Sequence, residues 1–300
     1  MQWHDIAKAD SPQLDELAST YGLHPLHVED CRNKGQRTKV DDGGAYLFII
    51  LMLPVPKEDA LFSIVTLAVF VGPDFVIGVH ETPMPLLEEP GRRNAGLRPD
   101  QVLYRVLEGV VESWLPVIEE MEERLDALQD QVTGWPGPDV LERIADTRSS
   151  VMQLRRVMAG ARYAVFQLRH ASNPIITADL APFLRDVHDD LTIQLETIAG
   201  ERDRLTGVLD IYLSSVTNRT AEATRTLTLL GTIALPSLVI TSFFGMAIEY
   251  PAWTRSPWVF GILVIVTAVV TGFLLWYLKR HDYLPGGTTA RGLSRESNET

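Results

Sequence analysis

The chain has 300 residues, of which 46% are hydrophobic, enough for one domain of ordinary size plus a membrane segment. Its 27 basic and 39 acidic residues give a net charge of -12, which argues against a nucleic-acid partner and is compatible with cations as partners. Cys31 is the only cysteine, so the chain can form neither an internal disulfide nor a cysteine zinc motif.

The N-terminal third predicts an α/β arrangement. Ser11 and Pro12 open a short helix, with serine as N-cap and proline at the first helical position, and Gly22 ends it. Aliphatic and aromatic runs then predict strands at 46–53, 61–71 and 75–80. His24 and His27 flank Pro25, and we expect them to pack or cap rather than to bind metal.

The pattern becomes helical after Asp100. It predicts one helix over 100–132 with a kink at Pro116, and another over 138–170. A last helix begins at Pro182 and, if continuous to Met246, has about 65 residues and a length of ~100 Å. Its apolar residues recur in steps of three and four, which fits packing on the chain's own helices and a coiled coil between subunits equally well.

Two apolar runs, 227–246 and 258–277, predict a transmembrane hairpin. Each has about 20 residues, which as a helix crosses a hydrocarbon core of ~30 Å. Basic residues are concentrated before the first run and after the second, not in the loop between them. By the positive-inside rule this predicts cytoplasmic N- and C-termini for a protein of the inner (plasma) membrane. These basic residues are Arg219, Arg225, Lys279 and Arg280, against Arg255 alone in the loop.

The two runs differ in polarity. The second is almost purely aliphatic with aromatic ends, as expected of a helix facing lipid. The first contains glycines, serines and threonines, which suit either close helix packing or a wet lumen. Because one such helix cannot enclose a pore, a channel would require a ring of subunits.

Three segments resemble a known family. They are YGLHPLHVED at 21–30 followed by QRTKV at 36–40, TNRT at 217–220, and FGM at 244–246. In this order and spacing the chain is similar to the CorA superfamily of divalent-cation channels. The resemblance covers essentially the whole chain. It implies an α+β cytoplasmic domain built as an α/β/α sandwich, a long helical stalk, two C-terminal transmembrane helices and a homopentameric pore.

The element pattern and the resemblance together predict a division of the chain. An N-terminal α/β cytoplasmic domain covers 1–98, and a cytoplasmic helical part that includes the stalk covers 99–225. Transmembrane helices follow at 226–246 and 258–278, separated by an external loop at 247–257, and a cytoplasmic tail occupies 279–300.

The chain departs from the family at two positions where the family has asparagines that recognise magnesium. The family ends its first span with Gly-Met-Asn, and here Ala247 stands in place of the asparagine. A second family asparagine falls on Ala221. In the family such amides hold Mg²⁺ through its water shell, because this ion dehydrates reluctantly. Asp210 matches the family's acidic inner mouth, and Glu249 matches the first acidic residue of its outer loop.

Helical spacing from Asp210 defines a candidate lumen stripe. A ring of Asp210 carboxylates would concentrate cations, and rings of Leu235 and Leu238 would form a constriction. Without the resemblance, Asp210 reads as an ordinary solvated carboxylate of the stalk. The other members of the stripe are Ser214, Thr217, Ala221, Thr224, Thr228, Gly231, Ser242, Gly245, Met246 and Ala247.

An acidic cluster lies near the start of the last helix. Asp186 and Asp190 are four residues apart and share a helix face. The resemblance implies that stalk carboxylates at this level bind metal between subunits and hold the pore shut. His188 favours zinc over magnesium, whereas the bland alternative for the whole cluster is a hydrated helix face. Zn²⁺ and Mg²⁺ both remain open here.

Two functions follow. The first is a homopentameric channel or transporter for divalent cations, Zn²⁺ or Mg²⁺ and also Co²⁺ or Ni²⁺, with a divalent ion also as candidate regulator and no prosthetic group. The second is a non-conducting, membrane-anchored metal sensor or scaffold, favoured by the two missing asparagines. Expected partners are divalent cations, membrane lipid and further copies of the chain. Phosphate loops, paired-histidine zinc motifs and nucleophile arrangements are missing from the sequence, so no enzyme activity is expected.

Overall fold

A five-stranded sheet organises the N-terminal part of the computed structural model, which describes residues 1–33, 35–57, 60–84, 87, 96–133, 137, 139–245 and 257–280. The strands lie in the order β1-β5-β4-β3-β2, with β1 parallel to β5 and the other neighbours antiparallel. The three predicted strands are confirmed, the first of them extending further along the chain. The strands are β1 Gln2–Ile6, β2 Lys39–Asp42, β3 Leu47–Lys57, β4 Ala60–Val71 and β5 Phe75–His80.

Seven α-helices accompany the sheet within the described residues. A short 3-10 turn, Ala178–Leu180, precedes the longest of them. The helices are α1 Pro12–Tyr21, α2 Pro25–Arg32, α3 Pro99–Glu112, α4 Leu115–Thr133, α5 Val140–Arg169, α6 Ala181–Gly245 and α7 Pro257–Arg280.

The sheet is covered on both faces. Along β3, Leu47, Ile49 and Leu51 join the core formed with α3 to α6, while Phe48 and Ile50 join a second core with α1 and α2. Successive strand residues point to opposite faces, so a strand with both faces buried is continuously apolar. This explains why β3 reads as an unbroken apolar run, and it agrees with the predicted sandwich of helix, sheet and helix.

The helix start and stop signals of α1 are confirmed. The Ser11 hydroxyl accepts a hydrogen bond from the backbone N–H of Gln13, and Pro12 occupies the first helical turn. Gly22 caps the other end with φ of 66°, a left-handed conformation that glycine adopts without a Cβ penalty.

The helix predicted over 100–132 is in fact two helices. α3 ends at Glu112 and α4 begins at Leu115. Pro116 has no N–H to donate, and its ring would clash with the carbonyl of Glu112 in a continuous helix. Trp114 is completely buried at this corner. The proline therefore ends the helix instead of kinking it.

α6 is one helix of 65 residues, as predicted. The apolar residues of its first half are buried in the same core as α3, α4 and α5, so their spacing is accounted for by packing within the chain. One polar side chain lies among them: the buried Gln194 amide donates to the carbonyl of Val111 in α3 at 3.2 Å. The buried apolar residues are Leu184, Val187, Leu191, Ile198, Leu205 and Val208.

The chain divides into two compact units, Met1–Leu213 and Ser214–Thr300. Among the described residues, α6 is the one helix whose length and apolar composition suit a membrane crossing, and it contains Pro236. α7 contributes a shorter apolar stretch, Val264–Leu278. The domain boundaries given above remain predictions.

Candidate functional site

Asp210 lies on the side of α6 that faces away from the chain's own core. Leu205 and Val208 are buried, whereas Asp210 is exposed and forms no ion pair with any described residue. At about 100° per residue, Asp210 points roughly 160° away from Val208. Its carboxylate is therefore available to solvent or to another copy of the chain.

The candidate lumen stripe is exposed along the second half of α6. Gly231 is half-buried, and Gly245 is the last residue of the helix. Met246, Ala247 and Glu249 lie outside the described residues. The exposed members of the stripe are Ser214, Thr217, Ala221, Thr224, Thr228, Leu235, Leu238 and Ser242.

The threonine hydroxyls of this stripe bond to their own helix. Thr224 donates to the carbonyl of Thr220 and Thr228 to the carbonyl of Thr224, both at 2.8 Å. A hydroxyl that donates its only hydrogen to a carbonyl of the preceding turn can still accept hydrogen bonds through its oxygen lone pairs. The stripe therefore presents hydrogen-bond acceptors, a suitable surface for the water shell of a cation.

The acidic group near the start of α6 includes a residue that the sequence did not suggest. Glu108 of α3 acts together with Asp186 and Asp190 of α6. Desolvation raises the pKa of Asp190, and the charges of Asp186, Asp189 and Glu108 raise it further. The same surroundings raise the pKa of Tyr104 to about 12, since burial disfavours its phenolate and its hydroxyl donates to Glu108 at 2.8 Å.

His188 does not join these carboxylates. At about 100° per residue it points roughly 160° away from Asp186, and its Nδ1 lies 3.4 Å from the Asp189 carboxylate. Within the part of the chain that the structure describes, no group of three His, Cys, Asp or Glu side chains is arranged to hold a metal ion. A metal at this level would need further ligands from another copy of the chain.

Glu108 could not be found from sequence pattern. It lies on a different helix, far along the chain from Asp186, and its spacing to Tyr104 has an ordinary structural meaning. Only the packing of α3 beside α6 brings its charge near the stalk. The signal that could have pointed to it is the i, i+4 relation with Tyr104, which is too common to indicate a site.

The N-terminal segment that carries the resemblance is structural. His24 Nδ1 accepts from the N–H of Leu26 at 3.2 Å and so caps α2, while His27 stacks on Phe48 with ring centroids 4.5 Å apart. Burial lowers the pKa of His27. The expectation that both histidines pack or cap is confirmed.

Lys39 holds this layer to the sheet. Its Nζ lies 2.8 Å from Asp30 of α2 and 2.7 Å from Asp41 of β2. Burial lowers the pKa of Lys39, but the hydrogen bonds that it donates to both carboxylates outweigh that effect and raise it. The two carboxylates next to the histidines therefore share one cation from the same chain.

Comparisons with known proteins cover almost the whole chain. The sequence model of a family described as "CorA-like Mg2+ transporter protein" matches residues 1–280, and 280 is the residue at which α7 ends. The cobalt/magnesium transport protein CorA of Thermotoga maritima is 29% identical over 280 residues, which are 90% of this chain and 80% of that protein.

The chain is also similar to a relative named for a different metal and to a solved structure. The zinc transport protein ZntB of Pectobacterium carotovorum is 23% identical over 209 residues, 70% of this chain and 62% of that protein. The complete structure of the CorA magnesium transporter from Methanocaldococcus jannaschii superposes with a TM-score of 0.83 at 19% identity, covering 94% of this chain and 91% of that one. At this identity the likeness concerns the fold.

Proposed function

We propose, from the premise that the chain belongs to the CorA-like Mg²⁺ transporter family, that it forms a homopentameric membrane channel or transporter for divalent cations. Members of this family are transporters or channels, not enzymes. The family match and the names of the relatives support divalent-cation transport as the function class. No prosthetic group is expected.

One observation carries the proposal. The fully buried face of α6 ends at Val208, and the opposite stripe begins at Asp210, which forms no ion pair with any described residue. Beyond it the helix exposes large apolar side chains such as Leu227, Leu230 and Val239. Such a surface needs lipid or another copy of the chain to cover it. In a ring of α6 helices, lipid and neighbouring copies cover the apolar side chains, and the stripe lines a central lumen.

The ion path follows this stripe. Five Asp210 carboxylates gather cations at the inner mouth, threonine and serine oxygens accept hydrogen bonds from hydrated ions, and Leu235 and Leu238 narrow the path. Met246 and Ala247 end the lumen, and Glu249 gathers ions outside. The spans are 226–246 and 258–278 in the plasma membrane, with both termini in the cytoplasm.

Selectivity depends on the two alanines. Without the amides that the family has at Ala221 and Ala247, hydrated Mg²⁺ loses a ring of hydrogen-bond partners. We therefore expect a weak preference for Mg²⁺ and substantial passage of Zn²⁺, Co²⁺ or Ni²⁺. Relatives named for magnesium, cobalt and zinc transport support Mg²⁺, Co²⁺ and Zn²⁺ within this range.

The carboxylates near the start of α6 are proposed as regulatory ligands. Asp186 and Asp190, with Glu108 nearby, bind Mg²⁺ or Zn²⁺ across a subunit boundary, and His188 adds an imidazole from the adjacent copy. Such a site relieves the repulsion that, after desolvation, raises the pKa of Asp190. A bound ion therefore stabilises the closed ring.

The decisive experiment is flux into liposomes, with Mg²⁺, Zn²⁺, Co²⁺ and Ni²⁺ tested in parallel on the purified full chain. Native mass measurement of the same preparation gives the subunit number. A pentamer that moves at least one of these ions supports the proposal. If a pentamer moves none of them above empty liposomes, the chain is a membrane-anchored sensor or scaffold, as the missing asparagines favour; a stable monomer or dimer overturns the ring.

The source of selectivity has a test of its own. Replacing Ala247→Asn restores the family amide at the outer mouth and should raise the ratio of Mg²⁺ flux to Zn²⁺ flux. Ala223→Asn adds the same amide off the stripe and is the control, because no residue three or four positions from the exposed Ala223 belongs to the stripe. An unchanged ratio in Ala247→Asn would mean that selection occurs elsewhere in the pore.

A further inference from the structure

α5 carries a stripe of apolar residues and arginines that is exposed except at the half-buried Arg162 and Arg169. Its members recur in steps of four and three, the spacing of a helix-to-helix seam. They lie about 100° around the helix from the buried face that Leu154 and Ala161 mark, on one flank of α5. The stripe, here called the arginine seam, consists of Leu141, Ala145, Arg148, Met152, Arg155, Ala159, Arg162, Phe166 and Arg169.

The arginine seam is uncovered in the single chain. Its three large apolar side chains, Leu141, Met152 and Phe166, are 47%, 52% and 46% exposed. Arg148 and Arg155 are exposed as well, and neither forms an ion pair with any residue that the structure describes. Regularly spaced apolar groups between unpaired guanidinium groups are typical of a contact surface, because a solvated face has no need for them.

The seam faces away from α4, the neighbour of α5 within the chain. Arg143, on the other flank of α5, donates to the Gln131 side chain of α4 at 2.5 Å. A cavity lined by Arg143, Asp146 and Ser150 of α5 and by Arg124 of α4 lies on that same flank. The arginine seam is therefore at the outer edge of the hairpin formed by α4 and α5.

Carboxylates with matching spacing lie on α4. Glu119, Glu123, Asp126 and Asp130 recur in steps of four, three and four on its exposed side, opposite buried Met121. Asp126 is already bound to Arg204 of α6. The other three form no ion pair among the described residues. This acidic stripe and the arginine seam belong to opposite sides of the hairpin.

We propose that the arginine seam of one subunit docks onto the acidic stripe of α4 in a second copy of this chain. The proposal rests on the ring assembly proposed above. A ring joins two different patches of the same subunit, one on each side, which is the arrangement that the hairpin offers. Guanidinium groups and carboxylates pair across the contact, and Met152 and Phe166 lose their exposure to water.

The antiparallel hairpin sets which residues meet. The Arg143–Gln131 bond fixes the relative height of α5 and α4, and from there Arg155 is at the height of Glu119, while Arg148 is at that of Asp126. Rotation about an axis along the hairpin preserves these heights. Arg155 therefore faces Glu119 of the adjacent copy, and Arg148 faces Asp126, which also binds Arg204 of its own chain.

A cross-linking experiment on the full chain in detergent tests this register. Two chains with one added cysteine each, Arg155→Cys and Glu119→Cys, are co-expressed with different tags and treated with a short bismaleimide. Cys31 can stay, because burial raises the pKa of its thiol to about 12. Gln153→Cys replaces Arg155→Cys in the control, because Gln153 is exposed at a similar height but no residue three or four positions from it belongs to the seam.

The expected result is a two-tag product at several-fold higher yield for Arg155→Cys than for Gln153→Cys, each paired with Glu119→Cys. Equal yields in a preparation whose mass is that of a ring would overturn the seam while leaving the transport proposal intact. Charge reversal gives a second measurement: Arg155→Glu should shift dilute protein several-fold toward smaller species, and adding Glu119→Arg should restore the ring. Loss of assembly with no rescue would also count against the proposed register.

Discussion

The two halves of α6 differ in what holds them. Before Leu213 the helix buries a continuous apolar face in the chain's own core, and Gln194 adds a hydrogen bond to α3. From Ser214 onward none of the side chains that the structure describes is buried. One half is therefore stabilised by its own chain, whereas in the proposed ring the other half is covered by lipid and by other copies of the chain. Four substitutions along this helix and its anchor test that difference.

The largest effect is expected from a cavity in the packed half. Leu205→Ala removes a side chain that is buried against the core and should lower the free energy of unfolding by about 2–5 kcal/mol, since the surroundings relax only partly. Denaturant unfolding of the full chain in detergent, followed by tryptophan fluorescence, measures the loss.

Ile193→Ala is the matched control, because Ile193 lies on the same half of the helix but is 62% exposed. Its cost should stay below about 1 kcal/mol. Equal losses for the two variants would mean that the packed face has been assigned incorrectly.

The next effect concerns the anchor that precedes α6. Asp100 is only 1% exposed and accepts hydrogen bonds from the Thr177 hydroxyl and from Arg98 Nε, the latter at 3.2 Å. Asp100→Asn should cost about 1–3 kcal/mol at pH 7, because these donors lose a charged acceptor. Asp179→Asn is the control, since this exposed carboxylate touches only the outer side of Arg98.

The pH dependence of the Asp100 anchor follows from its pKa. Burial raises the pKa, but the hydrogen bonds from Thr177 and Arg98 outweigh burial and lower it below the ordinary value of 3.8. The stabilisation is therefore complete above pH 3.8 and is lost as the pH falls through the lower folded value. The difference between wild type and Asp100→Asn should be constant from pH 7 to 5 and shrink below pH 3.8; a difference that shrinks between pH 7 and 5 would contradict this assignment.

A smaller effect is expected at the boundary between the halves. Asp210→Asn removes one charge per subunit from the inner mouth and should lower divalent flux several-fold while leaving assembly intact, because the ring acts through local ion concentration. Glu222→Gln is the control: at about 100° per residue Glu222 points roughly 120° away from Asp210. Similar flux losses in both variants would show that the stripe is in the wrong register.

The smallest effect is expected in the acidic group. The folded pKa of Asp190 is raised, so its carboxylate opposes folding at neutral pH and Asp190→Asn should stabilise the metal-free protein. Like charges four apart on a helix cost about 0.2–0.5 kcal/mol, which sets the expected gain. Thermal unfolding in a chelator measures it, with Glu196→Gln as the exposed control. Destabilisation by Asp190→Asn would remove the repulsion argument.

Local signals predicted the parts of the fold that depend on neighbouring residues. The cap at Ser11 and the glycine at Gly22 fixed α1, and the continuous apolar runs fixed β3 to β5. β1 was missed because Gln2–Ile6 buries only Ile6 fully and is held by parallel pairing with β5, about 70 residues away. Such a pairing leaves no periodic signal in the short strand itself.

The candidate site was likewise predictable only where its residues lie on one helix. Helical spacing along α6 was sufficient to predict the stripe through Asp210, because every member that the structure describes belongs to one helix. Glu108 could not be predicted, since it reaches the acidic group only through the packing of α3. His188 was grouped with Asp186 by closeness in sequence, although residues two apart on a helix point in nearly opposite directions.

The back-bonded threonines of α6 have a consequence for ion selection. Since Thr224 and Thr228 use their hydrogens on the preceding turn, their outward oxygens repel anions and attract cations without carrying a formal charge. Such a surface has no proton to gain over the physiological range. Exclusion of chloride should therefore persist in acid, even after carboxylates elsewhere in the pathway have been neutralised.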